Sequence, residues 1–172
     1  DMIAQSDQLI RTFNAILMIS RLEAGYSSER VEEVNLTAMA RDVAELYEPV
    51  AEDAGAKLTF SGDAQFKVQG NRELLSQTLS NILDNAIKYS SSSNKPEISV
   101  TVANVANAPC IRVSDNGPGI AQEDLERVTE RFVRLEKSRN APGSGLGLSL
   151  AKAVMKLHKG EHQTPEYLAM NP

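Results

Sequence analysis

The chain has a single cysteine and no tryptophan, and only 5% of its 172 residues are aromatic. One cysteine cannot form an intramolecular disulfide, so the fold has no disulfide framework and suits a reducing, cytoplasmic environment. No apolar stretch is long enough to span a bilayer and no signal-peptide pattern is present, which predicts no direct membrane contact by this segment. The apolar fraction of 41% is nevertheless enough for a real hydrophobic core.

Positive charge is also in short supply. The 18 Lys and Arg residues are outnumbered by 23 Asp and Glu residues, which gives a net charge of −5 with the basic residues scattered. Nucleic acids and acidic membrane surfaces select for basic patches, so neither is an expected partner. Cys110 lies in the apolar-leaning run Pro109–Val113, which predicts a buried core thiol and not a nucleophile.

The strongest local pattern lies in the stretch Gln77–Ser90. Its apolar residues recur at steps of three and four, which predicts an amphipathic helix: Leu79, Ile82, Leu83, Ala86 and Ile87. Asn81, Asp84, Asn85 and Lys88 share a second face. Two neutral carboxamides beside a lysine suit a hydrated Mg²⁺ that carries nucleotide phosphates, because Mg²⁺ needs only one or two protein oxygens. A solvated polar face without a ligand is the alternative.

Four further helices are expected. A near-heptad stripe that includes Ile3, Ile10, Phe13 and Leu17 predicts a helix up to Gly25, either in a bundle or docked on its own domain. A second helix is expected to begin at Thr37 as its cap and to end near Ala54, with Leu46 and Val50 facing inward. The last two are expected over Gln122–Phe132 and Leu148–His158. Asn71 is the expected cap of the helix that contains Gln77–Ser90.

The strand signals point to a mixed α and β domain. Lys57–Ser61 alternates like a strand, and Phe66–Gln69 is a weaker candidate. Glu97–Val105 and Cys110–Ser114 are predicted to pair as an antiparallel hairpin connected through Ala106–Pro109. Since the clearest strands are neighbours in a hairpin, an α+β layer is favoured over a doubly wound parallel sheet.

Two glycine-rich clusters complete the candidate site. In Asp115–Ile120 a carboxylate follows a strand, and the glycines permit close approach of the backbone to a ligand; a tight turn without a ligand is the alternative. Gly143–Leu148 opens the last helix, where free N–H groups can bind an anion. A flexible loop is the alternative there, and no P-loop lysine follows.

Together, these motifs resemble a known family. Asn81-x-x-x-Asn85 with Lys88-Tyr89, Asp115-x-Gly117-x-Gly119, Arg134, and Gly143-x-Gly145-x-Gly147 resemble the N, G1, F and G2 boxes of the sensor histidine kinases. The resemblance implies an α+β, two-layer α/β sandwich of the Bergerat type, preceded by one amphipathic hairpin helix. Residues 1–25 would be the second helix of the dimerisation hairpin, 26–34 a linker, 35–160 the ATP-binding domain and 161–172 an atypical tail.

The resemblance assigns ATP and Mg²⁺ as cofactors. Asn85, supported by Asn81, would hold the metal, and these two with Lys88 and Arg134 would carry catalysis. Asp115 would recognise the adenine amino group. The other residues expected at the nucleotide are Tyr89, Gly117, Gly119, Ile120, Ser138, Arg139, Gly143, Gly145, Leu146, Gly147 and Leu148. Val133–Ser144 would form a lid over the phosphates, to which Arg131 is a further candidate contact.

The expected reaction is transfer of the γ-phosphoryl group to a histidine on the hairpin, of the same protein or its dimer mate, and then to a receiver domain. This histidine is expected on the first hairpin helix, before the start of the sequence, so the chain is expected to be part of a longer protein. That protein is expected to be cytoplasmic, or to be a membrane-anchored receptor with this part in the cytoplasm. His158 and His162 are expected to be structural or solvated.

Two other functions remain open at this point. Related hydrolytic ATPases in chaperones, topoisomerases and mismatch repair carry a Glu where this chain has Asn81, and a carboxamide cannot act as a base. A nucleotide-binding or protein-interacting regulator without transfer activity is the other alternative. The family ends in a longer strand hairpin, whereas Glu161–Pro172 is short and polar and contains Pro165, which leaves the edge of the sheet in question.

Overall fold

The computed structural model describes residues 13, 15–22, 31–62, 64–125, 127–130, 145–158, 161–163 and 167–169. Residues 15–22 belong to helix α1. The other helices are α2 (Leu36–Asp53), α3 (Arg72–Ser90) and α4 (Gly147–Leu157). The strands are β1 (Glu32–Asn35), β2 (Lys57–Ser61), β3 (Lys67–Gly70), β4 (Glu97–Val105), β5 (Ala108–Asp115), β6 (Glu161–Gln163) and β7 (Tyr167–Ala169).

The strands form two sheets. The larger one has the order β2-β4-β5-β7-β6; β2 and β4 run parallel, and the remaining pairs are antiparallel. The smaller one pairs β1 with β3. The predicted hairpin is confirmed, but its turn is only Ala106-Asn107, with φ of 51° and 66°. This left-handed geometry matches the twist of the paired strands, so two residues are enough for the turn. Pro109, predicted to lie in the connection, is therefore part of β5.

The core lies between the helices and one face of the larger sheet. Ile98, Val100 and Val102 alternate along β4 toward this core. From α3, Leu79 and Leu83 enter the same cluster and are completely buried. The predicted α+β architecture is therefore confirmed, and the apolar stripe of α3 is what fixes the helix on the sheet.

Two expectations for α2 are wrong. Its N-cap is Asn35, whose Oδ1 accepts from the Ala38 N–H at 3.0 Å. The Thr37 hydroxyl is buried instead and donates to the Ala64 carbonyl at 2.7 Å, which ties the helix to the chain before β3. Leu46 and Val50 are 68% and 48% exposed and do not face inward. The buried stripe runs through residues such as Met39 and Val43, on another side of the helix.

The expected helix over Gln122–Phe132 is also wrong in its described part. Gln122–Asp124 and Arg127–Thr129 are short 3₁₀ turns. The N–H groups of Asp124 and Glu130 bond to carbonyls only three residues earlier, which winds the chain more tightly than an α-helix. The last two residues of the predicted helix lie outside the described residues.

The predicted linker and the predicted tail both contain strands. The last three residues of the predicted 26–34 linker lie in β1, where the Glu33 carboxylate forms a 2.7 Å ion pair with Lys67. In the tail, β7 pairs with β5 and β6 with β7, so the larger sheet does have outer strands. Main-chain hydrogen bonds, which do not depend on apolar side chains, hold these strands. The domain boundaries themselves remain predictions.

Some apolar residues of helix α1 are buried in the core and others are exposed. Ile19 and Leu22 are buried in the same cluster as the core, as expected for a helix docked on its own domain. Phe13 and Leu17 are 60% and 40% exposed and contribute nothing to that core. Ile3 and Ile10 lie outside the described residues. No described helix combines the length and the apolar character needed to cross a membrane.

The Cys110 thiol is buried, as predicted, at 2% exposure. Burial raises the pKa of this thiol by desolvation, and the Arg112 guanidinium only partly offsets the rise. Because the thiolate is the reactive form, both its depletion and the lack of access slow alkylation and disulfide exchange.

We therefore expect the thiol of the native chain to react with an aromatic disulfide reagent at least about a hundredfold more slowly than that of the urea-unfolded chain. The absorbance of the released thiolate measures both rates on the same sample. Equal rates before and after unfolding would show that Cys110 is accessible and would contradict the burial.

Candidate functional site

Helix α3 begins at a well-defined point. The Asn71 side chain caps it by accepting from the Leu74 N–H at 2.9 Å, and Glu73 in the first turn complements the helix dipole. The predicted cap is confirmed. A fixed start also fixes which residues lie on the polar face, and it places Asn81 and Asn85 one turn apart on the same side.

The first turn of α4 faces this amide pair. A Cβ added to Gly147 would lie 3.7 Å from Nδ2 of Asn85 and 3.8 Å from Cβ of Asn81. Both asparagines are half-buried, and within the described part of the chain their side-chain amides form no hydrogen bond. Two unpartnered amides opposite a glycine backbone leave room for a polar ligand between the helices.

Helix α4 has an open N-terminus. Leu146 occupies the N-cap position and provides no side-chain hydrogen bond, while the Ser149 hydroxyl donates to the Leu146 carbonyl at 2.9 Å. Gly145 precedes the cap with φ of +72°, a conformation that other residues rarely adopt. The first turn, with its free N–H groups and the positive end of the helix dipole, therefore lies close to Asn81 and Asn85, and such a helix end favours an anion.

The Asp115 loop rests on the C-terminal end of α3. Oδ1 of Asp115 accepts from the Gly117 N–H at 2.8 Å. A Cβ at Gly117 would lie 2.8 Å from the Tyr89 carbonyl oxygen, so only glycine permits this approach. Since Tyr89 is one turn beyond Asn85, the three predicted clusters meet along the second half of α3.

Asn116 secures this loop, and the sequence analysis missed it. Its amide nitrogen donates to the Lys95 carbonyl at 2.7 Å, and its amide oxygen accepts from the Glu97 N–H at 2.9 Å. These two bonds attach the strand exit at Asp115 to the beginning of β4. An Asn beside a strand end is a typical bridging residue, but its partners are about twenty residues away and only the fold shows them.

The remaining predicted residues are only partly placed at the site. Lys88 lies over the Tyr89 ring at 4.9 Å, with its ammonium 3.5 Å from the Tyr89 hydroxyl. Ile120 and Leu148 are half-buried, and Gly119 turns the Asp115 loop with φ of +71°. The Leu146 side chain is 1% exposed and belongs to the hydrophobic core, so any contact of this residue with a ligand would be made by its backbone, and its place at the nucleotide stays a prediction. The predicted residues that lie outside the described part of the chain are Arg131, Arg134, Ser138, Arg139 and Gly143.

The donor set limits the kind of metal that could bind. The described residues contain no group of three or more His, Cys, Asp or Glu side chains that could hold an ion. Carboxamide oxygens from Asn81 and Asn85 do fit a hydrated Mg²⁺, which takes most of its ligands from water and phosphate. A metal at this site would therefore arrive with an anionic ligand.

Comparison with known proteins identifies the family of the chain. Residues 70–167 match the family of histidine kinase-, DNA gyrase B- and HSP90-like ATPases. The sensor protein IrlS of Burkholderia pseudomallei is 33% identical over 160 residues, which cover 92% of this chain and 34% of IrlS. The chain thus spans about a third of the length of this relative.

Solved structures share the fold. The crystal structure of full-length ShkA in complex with AMPPNP superimposes with a TM-score of 0.78 at 22% identity, over 98% of this chain and 37% of ShkA. The mycobacterial sensor histidine kinase MprB gives 0.66 at 28% identity, over 82% of this chain and 99% of the MprB structure. The chain belongs to the family of histidine kinase-, DNA gyrase B- and HSP90-like ATPases, and it carries the ATP-binding catalytic domain of a sensor histidine kinase.

Proposed function

We propose that this domain binds Mg²⁺–ATP against the second half of α3 and transfers the γ-phosphoryl group to a histidine on a dimerisation hairpin. The observation that carries the proposal is the juxtaposition of Gly147 with Asn81 and Asn85. It brings an open helix N-terminus, which favours phosphate, to two amides that can hold the accompanying metal.

The purine would lie at the Asp115 end of the site. One carboxylate oxygen of Asp115 is occupied by the Gly117 N–H, and in the described residues the other has no partner. A carboxylate only accepts hydrogen bonds, so it suits the exocyclic amino group of adenine. The Gly117 backbone, which packs on Tyr89, would keep this carboxylate at a constant distance from Asn85.

The phosphates would extend from there toward α4. Asn85 and Asn81 would hold Mg²⁺, which neutralises charge on the phosphates when bound. The N–H groups at Gly147 would orient the phosphate chain, and Lys88 and Arg134 would add positive charge. Positioning and charge neutralisation supply most of the catalysis of phosphoryl transfer. Asn81 cannot take a proton from water, which favours transfer over hydrolysis.

The acceptor and the location follow from the same proposal. Phe13 and Leu17 on α1 are exposed, and they would pack against the first helix of a dimerisation hairpin, while Ile19 and Leu22 pack in the core of this domain. The acceptor histidine would lie on that hairpin, in the same protein or its dimer mate, and a receiver domain would take the phosphoryl group next. Because ATP is the phosphoryl donor, the domain would work in the cytoplasm.

Replacing Asp115 tests the adenine contact. We expect Asp115→Asn to weaken ATP binding by about 1.5–3 kcal/mol, the contribution of a hydrogen bond to a charged group. Titration calorimetry at saturating Mg²⁺ measures the change. Asp53→Asn is the matched control, since it removes the same charge from the exposed end of α2. Unchanged affinity in Asp115→Asn would refute the adenine assignment.

Replacing Asn85 tests the metal contact separately. We expect Asn85→Ala to abolish the enhancement of ATP binding by Mg²⁺, while adenosine still binds as in the wild-type chain. Gln77→Ala, an exposed position earlier on α3, is the control for helix content. A full Mg²⁺ enhancement in Asn85→Ala would show that the metal is held elsewhere.

Supplying the missing acceptor tests the reaction. When the chain is mixed with a separate hairpin that contains the family histidine, we expect acid-labile, alkali-stable phosphate on the hairpin after incubation with γ-labelled ATP. Little inorganic phosphate should appear in its absence. Steady phosphate release without the hairpin would favour a hydrolytic ATPase, and tight ATP binding with neither reaction would favour a regulator.

A further inference from the structure

Helices α3 and α4 form an antiparallel pair, and the two helices approach each other near both ends. Gly147 begins α4 beside Asn81 and Asn85. His158, the C-cap residue of α4, reaches Asn71 at the N-cap of α3. Asn71 precedes Asn81 by ten residues and His158 follows Gly147 by eleven. The close approach at Gly147 and the bond at His158 are therefore separated by about 15 Å along the helices.

The His158 imidazole uses both of its nitrogens. Nε2 accepts from the Asn71 backbone N–H at 2.9 Å. Nδ1 lies 2.7 Å from the Val154 carbonyl oxygen, one turn back on α4. Since a backbone N–H can only donate, Nε2 is the acceptor and Nδ1 carries the proton. The ring is thus held to its own helix by one nitrogen and to α3 by the other.

The residue before Asn71 makes room for this ring. A Cβ at Gly70 would lie 2.7 Å from Cδ2 and 3.0 Å from Nε2 of His158. Any side chain at this position would push the imidazole away from the Asn71 N–H. Asn71 itself is 7% exposed, so its N–H is shielded from water and depends on protein partners.

Between the two ends, the contact between the helices is apolar. Leu79 and Leu83 of α3 and Leu150 and Val154 of α4 belong to one buried cluster. Apolar packing is strong but not directional, and it tolerates small shifts of one helix along another. The bond between His158 and Asn71 is directional and sets the register of α4 on α3.

We propose that His158 is a positioning residue for the phosphate end of the nucleotide site. By fixing the C-terminal end of α4 to the N-cap of α3, it keeps the first turn of α4 opposite Asn81 and Asn85. The inference rests on the proposed function, because the loss expected on substitution of His158 is a loss of affinity for the nucleotide triphosphate. The adenine end depends on Asp115, which bonds to Gly117, and Gly117 packs on Tyr89 at the C-terminal end of α3, so this end would be independent of the register of α4.

Two amide substitutions separate the two bonds of the ring. The side-chain oxygen of Gln extends to about the position of Nε2, so His158→Gln retains an acceptor for the Asn71 N–H. The side-chain nitrogen of Asn extends only to about the position of Nδ1, so His158→Asn retains the bond to Val154 and loses the one to α3. The two variants carry the same amide group: His158→Asn keeps the bond within α4, and His158→Gln keeps the bond to α3.

We expect His158→Asn to weaken binding of the Mg²⁺ complex of a non-hydrolysable ATP analogue about five- to thirtyfold, because α4 spends less time in the binding register. Adenosine binding, followed by NMR titration, should not change. His158→Gln should bind both ligands as the wild-type chain does. Gly70→Ala should behave like His158→Asn, and it replaces that variant if His158→Asn does not fold.

Two results would overturn the inference: equal loss of triphosphate affinity in His158→Asn and His158→Gln, or a parallel loss of adenosine affinity, which indicates a purely structural role. If the wild-type chain binds neither ligand, the proposed function fails instead. Hydrogen exchange of the backbone amides, measured without nucleotide, then tests the positioning role by itself. The Leu150 N–H bonds to the Leu146 carbonyl at 2.9 Å in the first turn of α4, and it should exchange faster in His158→Asn than in His158→Gln. Equal exchange would rule out the positioning role.

Discussion

The packing of α4 across α3 is the constraint on which the site depends. Neither helix alone offers more than a common feature: two amides on a polar face, or a helix N-terminus without a cap. Brought together at Gly147, they form a place where phosphate and a hydrated metal can be held at the same time. The apolar cluster beneath, with Leu79 and Leu83 completely buried, makes the contact strong, and His158 at the far end gives it one register.

The larger sheet fixes the position of Asp115. Strand β5 ends at Asp115, and Asn116 attaches that end to the start of β4, so the carboxylate has a defined height above the sheet. The Gly117 backbone then rests on the carbonyl of Tyr89 at the end of α3. The distance between Asp115 and the second half of α3 is in this way set by main-chain contacts, which vary little with side-chain motion.

The errors of the sequence analysis share a physical cause. Thr37 has a side chain that can cap a helix. Asn35 caps α2 instead, because the pairing of β1 with β3 ends at Asn35, two residues before Thr37. Leu46 and Val50 are apolar at helical spacing, but the sheet lies against another side of that helix. The tail contains few apolar residues, yet its strands pair with β5 through the main chain. In each case a neighbour distant in sequence decided between local alternatives of similar energy.

What the sequence by itself determined was the set of local elements and the chemistry of their polar residues. The period of α3, its cap Asn71 and the alternation of β4 depend on near neighbours along the chain, and the carboxamide at position 81 is read directly from the sequence. Only the tertiary structure decided which of these meet. The approach of Gly147 to Asn85, the hydrogen bonds of Asn116 with Lys95 and Glu97, and the link from His158 to Asn71 join residues 19 to 87 positions apart. Contacts of such separation arise from burial of a common core, which no local pattern encodes.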